Sequence, residues 1–502
     1  MGSEQFPDVF TWVQNIPQIT KWSSTSVSFR IFPSTSSFLS SHPSLDLLAQ
    51  KNPNPKILTF SIVIRSTLPL YLWTSNQINI NPKSSNPFDE ETIVSLMLNF
   101  IHDVLGYASN RTTSTIKIPK PSSCNDLKDI FNLVFLTLSF LVSVYETPTS
   151  LRDDCLSFLN DHLVTCRLRQ PSISLMKLLG SNLEEQWMRS VNLAVTNWLV
   201  GLQATNGGSR RFASWPSFSY AVSTSGLWKV QLYCPLVAME VERKSNPFVD
   251  SKLLFSLNFH QLEGVMQFNY KVAVREKWID VVVKIDNIRY DVIRLVSERL
   301  MARKGAGEQE KHFPSRISLQ LTPTLQTNII SVSVSKSSNN PGREFEVEKS
   351  IEGAFNPPNS IGLTIATREA ARVSMTPWKF EQSVLGYTAN LNWLLYDSSL
   401  GGREVFSSRP SKLSVMMNPR SWFKDRYARA YRSFTRRGGV IFAGDEYGEC
   451  VVWKVGREAL GKTMEWEIKG SIWLTYWPNT HKTFYHETRR LDFKEFLYLT
   501  IA

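Results

Sequence analysis

Apolar residues change their spacing once along this chain. From 88 to about 204 the period is helical. Ile93, Met97, Phe100, Ile101 and Val104 recur at three-to-four spacing behind Asp89-Glu90-Glu91, and Gly106 offers a stop. Acidic residues at such a start complement the positive end of the helix dipole. A second helix is expected over about 125–146 and a third from near Ser150 to about Arg167. A fourth, over about 172–203, carries the stripe Leu183, Trp187, Val191, Ala194, Val195 and Trp198, with a break at Gly180-Ser181.

From about 216 the period is two. Phe268, Tyr270, Val272 and Val274 alternate with mostly polar residues up to Arg275-Glu276-Lys277. Ile279, Val281, Val283 and Ile285 then repeat the alternation, which predicts a β-hairpin. Ile330, Val332 and Val334 alternate with serines, and Met464, Trp466 and Ile468 alternate with charged residues. One helix is expected to interrupt this region at about 287–304, on the spacing of Val292, Leu295, Val296 and Leu300. Residues 1–87 read as a mixed segment, with strands at 26–32 and within 57–73 between Pro-, Ser- and Asn-rich stretches. The fold class is therefore α+β: a mixed segment (1–87), a helical region (88–204) and a large antiparallel β-sandwich-like region (216–502).

Composition narrows the class. The chain has 502 residues, 42% hydrophobic and 20% charged, enough apolar surface for a sizeable core, which excludes wholesale disorder and fibrous folds. The uncharged run from Ile130 to Val144 is shorter than the roughly 20 residues a membrane span needs. Flanked by Lys128-Asp129 and Glu146, it is expected to be a core helix, and no transmembrane span is expected. Five cysteines, an odd number without a C-x-x-C pair, and no signal-peptide pattern predict a reducing compartment, cytoplasmic or nuclear.

Charge is unevenly placed. Residues 1–200 hold 15 basic and 15 acidic side chains, whereas 201–502 hold 41 and 29, so the whole net charge of +12 lies in the second region. Its densest stretch is 418–439. There Arg420, Lys424, Arg426, Arg429, Arg432, Arg436 and Arg437 face a single acid, Asp425, with Trp422, Tyr427 and Tyr431 interleaved. Cations can neutralise phosphates while aromatic faces stack bases or enter a lipid interface. The plainer reading is a solvated amphipathic segment. The functional one is a surface for an anionic partner: nucleic acid, an acidic lipid surface or an acidic protein.

Other motifs are weaker. Asp445, Glu446 and Glu449 lie in a glycine-flanked stretch whose spacing departs from a calcium loop, so a hairpin turn is the expectation. His481 and His486, five apart and without a cysteine pair nearby, predict no zinc site. No nucleophile elbow, phosphate loop or dinucleotide fingerprint occurs, and no cofactor is expected. Seven tryptophans between 378 and 477 read as core filling rather than a sugar-stacking platform.

The stretches 378–393, 422–449 and 461–501, with LLGSNLEEQWMRS (178–190) and KHFPSRISLQLTPTLQTN (311–328), resemble a land-plant family of uncharacterised proteins with no established activity. The resemblance implies a plant origin and an intracellular protein. The expected function is a non-enzymatic interaction or regulatory adaptor protein. The alternative is an enzyme acting on a carbohydrate or a phosphorylated ligand, with the acids at 445–449 as its carboxylates.

Overall fold

A computed structural model describes residues 8–32, 44–52, 57–65, 68–80, 88–108, 124–148, 151–152, 155–156, 159, 169–205, 217–236, 260–295, 311–335, 343–350, 368–375, 378–397, 403–404, 440–443, 450–477 and 488–501. The chain forms two compact units: Met1–Phe212 with Leu295–Ser297, and Ala213–Arg294 with Glu298–Ala502. The fold is α+β, and its sheets are antiparallel.

The first unit combines one sheet with helices. Strands β1 (Ser26–Phe32), β2 (Ser44–Lys51), β3 (Ile57–Arg65) and β4 (Leu70–Thr74) lie in sequence order, and β5 (Ile78–Asn79) also pairs with β3. The helices are α1 (Val9–Gln14), α2 (Glu90–Gly106), α3 (Cys124–Glu146), α4 (Arg169–Leu179) and α5 (Ser181–Thr205). Asp89 caps α2, accepting a hydrogen bond from the Thr92 backbone N–H at 2.8 Å, so the acidic start predicts the observed boundary. Gly180 takes φ +73° between α4 and α5, a conformation that strains residues with a side chain, which is why the helical pattern breaks there.

Aromatic rings join the layers of this unit. Phe100 of α2 meets Trp73 of β4 at 5.4 Å and Phe131 of α3 at 5.5 Å, both edge to face. The indole N–H of Trp73 donates to Asp103 at 2.9 Å. By length and composition Leu127–Glu146 could cross a membrane, and 89% of its most apolar window is buried within the protein. Two of its hydroxyls are satisfied within the helix: Thr137 donates to the Leu133 carbonyl and Ser139 to that of Phe135.

The second unit is built from two large sheets. The seven-stranded sheet contains β6 (Phe218–Thr224), β7 (Leu227–Leu236), β8 (His260–Val274), β9 (Trp278–Arg294), β11 (Ile329–Val334), β17 (Val440–Ala443) and β18 (Cys450–Gly456). Its order is β11-β18-β9-β8-β7-β6, with β17 also on β9. The six-stranded sheet contains β10 (Lys311–Pro323), β14 (Trp378–Leu385), β15 (Thr388–Asp397), β16 (Arg403–Glu404), β19 (Thr463–Trp477) and β20 (Thr488–Thr500). Its order is β14-β15-β10-β19-β20, with β16 also on β15. A separate hairpin joins β12 (Arg343–Ser350) and β13 (Arg368–Met375).

One core is shared by both large sheets. Trp228, Val281 and Trp453 of the seven-stranded sheet and Leu319, Trp393 and Trp466 of the six-stranded sheet belong to it, all fully buried. The rings of Trp228 and Trp466 lie 5.4 Å apart and those of Trp453 and Trp466 6.1 Å. Trp393, Trp453 and Trp466 are thus core, as their alternation predicts. Packing is close: a Cβ at Gly470 would come within 1.9 Å of the Phe493 ring, which lies over this glycine from the paired strand.

The hairpin read from 268–285 is β8–β9, with Val274 opposite Ile279. The helix expected over 287–304 is corrected. Residues 287–294 continue β9, and Ile288, Tyr290 and Val292 point with period two into the core. Apolar residues there satisfy both periods over a short run, and β-branched Ile and Val together with the long partner β8 favour the extended choice. Residues 296–304 lie outside the described residues.

Candidate functional site

Among the described residues, β11 on one large sheet and β14 on the other are end strands with a ladder partner on one side only, and these two strands lie beside each other. A groove of about 670 Å³ opens there, lined by Val334 and Ser335 at the end of β11, Lys379, Glu381, Gln382 and Ser383 of β14, and Asn392 of β15. Four of these residues are nearly consecutive on the edge strand, so the groove follows the β14 main chain. Gly386, at φ +61°, makes the tight turn from β14 to β15. Beside it the indole of Trp453 donates to the Tyr387 carbonyl at 3.0 Å, tying the turn to the other sheet.

Alternation along β14 places Phe380, Gln382 and Val384 on one face and Lys379, Glu381 and Ser383 on the other. Phe380 belongs to the core, so Gln382 occupies a core-facing position. Its amide oxygen and nitrogen are both shielded from solvent and have no hydrogen-bond partner among the described residues. On the opposite face Lys379 pairs with Glu381 at 2.6 Å, which leaves the lining without net charge. Ser335 accepts a hydrogen bond from the Cys450 backbone N–H at 3.0 Å. Burial pushes the Cys450 thiol up in pKa, against the opposing effect of Lys284, so this cysteine stays a thiol rather than a thiolate at neutral pH.

The site expected from sequence falls elsewhere. Arg420, Trp422, Lys424, Arg426, Tyr427, Arg429, Tyr431, Arg432, Arg436 and Arg437 all lie outside the described residues, as do Asp445, Glu446, Glu449, His481 and His486. Among the described residues no group of three or more His, Cys, Asp or Glu is placed to hold a metal ion. Trp473, another of the clustered tryptophans, is only partly buried. The guanidinium of Arg316 stacks on it at 4.6 Å and that of Arg490 at 5.4 Å.

The groove was missed in sequence, although one signal existed. Glutamine at the core phase of β14, between Phe380 and Val384, breaks the alternation otherwise kept from Trp378 to Val384.

The chain matches no protein-family profile and no curated protein. Among solved structures it is similar to Clostridium perfringens delta-toxin, at 10% identity and a TM-score of 0.19 over 57% of this chain and 92% of that one. It is also similar to the Clostridium perfringens NetB toxin in the membrane-inserted form, at 8% identity and a TM-score of 0.18 over 56% of this chain and 100% of that one. Likenesses this low carry no argument about fold or activity.

Proposed function

We propose that this chain is a non-enzymatic intracellular interaction protein, a scaffold or regulatory adaptor, that engages an anionic partner through residues 420–437. The supporting observation is where charge is left uncompensated. On the described sheet surfaces cations stand beside carboxylates: Lys469 and Lys494 with Glu467, Arg490 with Asp492, Arg275 with Asp280, and Arg65 with Asp46. Residues 420–437 hold seven cations against one acid, half of the net +12 of the whole chain. Such a stretch raises the local potential, and its interleaved aromatics suit stacking on bases or insertion at a lipid surface. The free thiol of Cys450 fits a reducing compartment.

The test replaces Arg426, Arg429, Arg432 and Arg436 with Gln. Binding to single-stranded RNA and to anionic liposomes is then measured at two salt concentrations. Each lost phosphate contact should reduce the log–log salt slope by about 0.7 for single strands, so the RNA slope should fall by about 3. Wild-type protein that binds neither probe at low salt, or a variant that binds as well, would reduce the segment to a solvated face.

A further inference from the structure

We infer that the groove along β14 is a second binding site, and that its ligand is an uncharged extended peptide segment of a partner protein, aligned with the β14 main chain and hydrogen-bonded to Gln382. This goes beyond the reading of 420–437 and does not depend on it.

Four observations select that ligand. The groove follows a sheet edge: β14 pairs with β15 on one side and has no strand partner on the other among the described residues. An extended peptide can continue the ladder of such an edge through main-chain hydrogen bonds. Gln382 holds a shielded donor and a shielded acceptor without partners, and a peptide unit supplies one of each. The lining is neutral, because Lys379 and Glu381 cancel, so a phosphate or an acidic peptide gains nothing there. Finally, no aromatic ring lines the groove among the described residues, so they offer no stacking platform that a sugar would use. Next to the lining on β14, Val384 and Leu385 are exposed apolar side chains.

Edge pairing and the buried amide lead to different expectations, so each is tested by itself. Full-length protein would be titrated into an array of fluorescent, uncharged eight-residue peptides, with maltotriose as a competing neutral polyol. The best binder would be resynthesised with N-methyl groups on alternate backbone amides, in both registers. One register should abolish binding and the other should be tolerated, since only alternate amides of an added strand face the edge. Gln382→Met should weaken binding about tenfold, the loss of a buried hydrogen-bonding pair. The same change should raise the thermal midpoint of the free protein by about 2 °C, because an unsatisfied amide leaves the interior. A variant that merely misfolds would lower that midpoint.

The inference is overturned if no peptide binds below roughly 1 mM, if both methylated registers bind equally, if Gln382→Met binds as tightly as wild type, or if maltotriose displaces the peptide. The quadruple arginine variant should bind the peptide normally, and Gln382→Met should bind RNA normally. Failure here is thereby separated from failure of the anionic-partner reading.

Discussion

Along β6 and β20 the two large sheets are fastened to each other, whereas along β11 and β14 they leave a groove. At the first side the Trp228 indole donates to the Tyr498 carbonyl at 2.8 Å, and the Tyr498 N–H donates to the Ser223 hydroxyl at 2.9 Å. Ser219 also donates to the buried Glu495 carboxylate. The outward main-chain N–H and C=O of Tyr498 on β20 are therefore both satisfied within the unit. At the second side Trp453 makes one such tie, to Tyr387, and beyond it Gln382 is left unsatisfied. Exposed edges invite unwanted pairing, and charged side chains are a common guard. Lys379 and Glu381 stand on β14 in that role, allowing a specific strand while discouraging flat apolar ones. The two sides thus separate an edge spent on stability from an edge kept available.

The largest expected effect breaks the fastened side. Trp228→Ala removes a fully buried indole from the shared core and the anchor to Tyr498 together, and should cost about 3–5 kcal/mol in denaturant unfolding. A loss below about 1 kcal/mol would show that this side is not what closes the sandwich.

A smaller effect lies on the outer surface of the paired strands β19 and β20. Hydrogen bonds from Lys469 and then Lys494 hold Glu467 below the usual carboxylate pKa, while burial opposes them. A carboxyl group with a lowered folded-state pKa stabilises the fold above its unfolded value, and that contribution disappears as pH falls through the folded value. Replacing Lys469 and Lys494 with Met should therefore reduce the stability lost between about pH 5 and pH 3. The lysines are about half exposed, so the difference should be at most about 1 kcal/mol. Identical acid titrations of wild type and variant would remove Glu467 from the account.

Much of the fold was legible because its signals are local. The Asp89 cap, the apolar length of α3, the break at Gly180 and the 268–285 hairpin each depend on residues close together in sequence. Residues 287–294 were misread because Ile288, Val292 and Leu295 stand at helical spacing while Ile288, Tyr290 and Val292 keep period two, and pairing with β8, set by distant residues, chose between them. β2 escaped notice because Ser44, Asp46, Gln50 and Lys51 dilute its apolar pattern, and the buried Asp46 is compensated by Arg65 of the next strand at 2.7 Å and by the Ser44 hydroxyl at 3.2 Å. The groove depends on two edges more than 40 residues apart in sequence, a relation no local pattern carries. Gln382 at a core phase was its one local trace.

The difference between the two sides is tested most directly by amide hydrogen exchange on the full-length protein, read residue by residue in β14 and β20. Protection reports the free energy of opening each backbone hydrogen bond. The N–H of Tyr498, held by Ser223, should exchange roughly a hundredfold more slowly than the fastest amides between Lys379 and Ser383. Alternate amides of β14 should stand out as fast, marking the unpaired edge. If the outward amides of β14 are protected as strongly as the Tyr498 N–H, that edge is already occupied within the protein, and the contrast between a fastened and an available side is wrong.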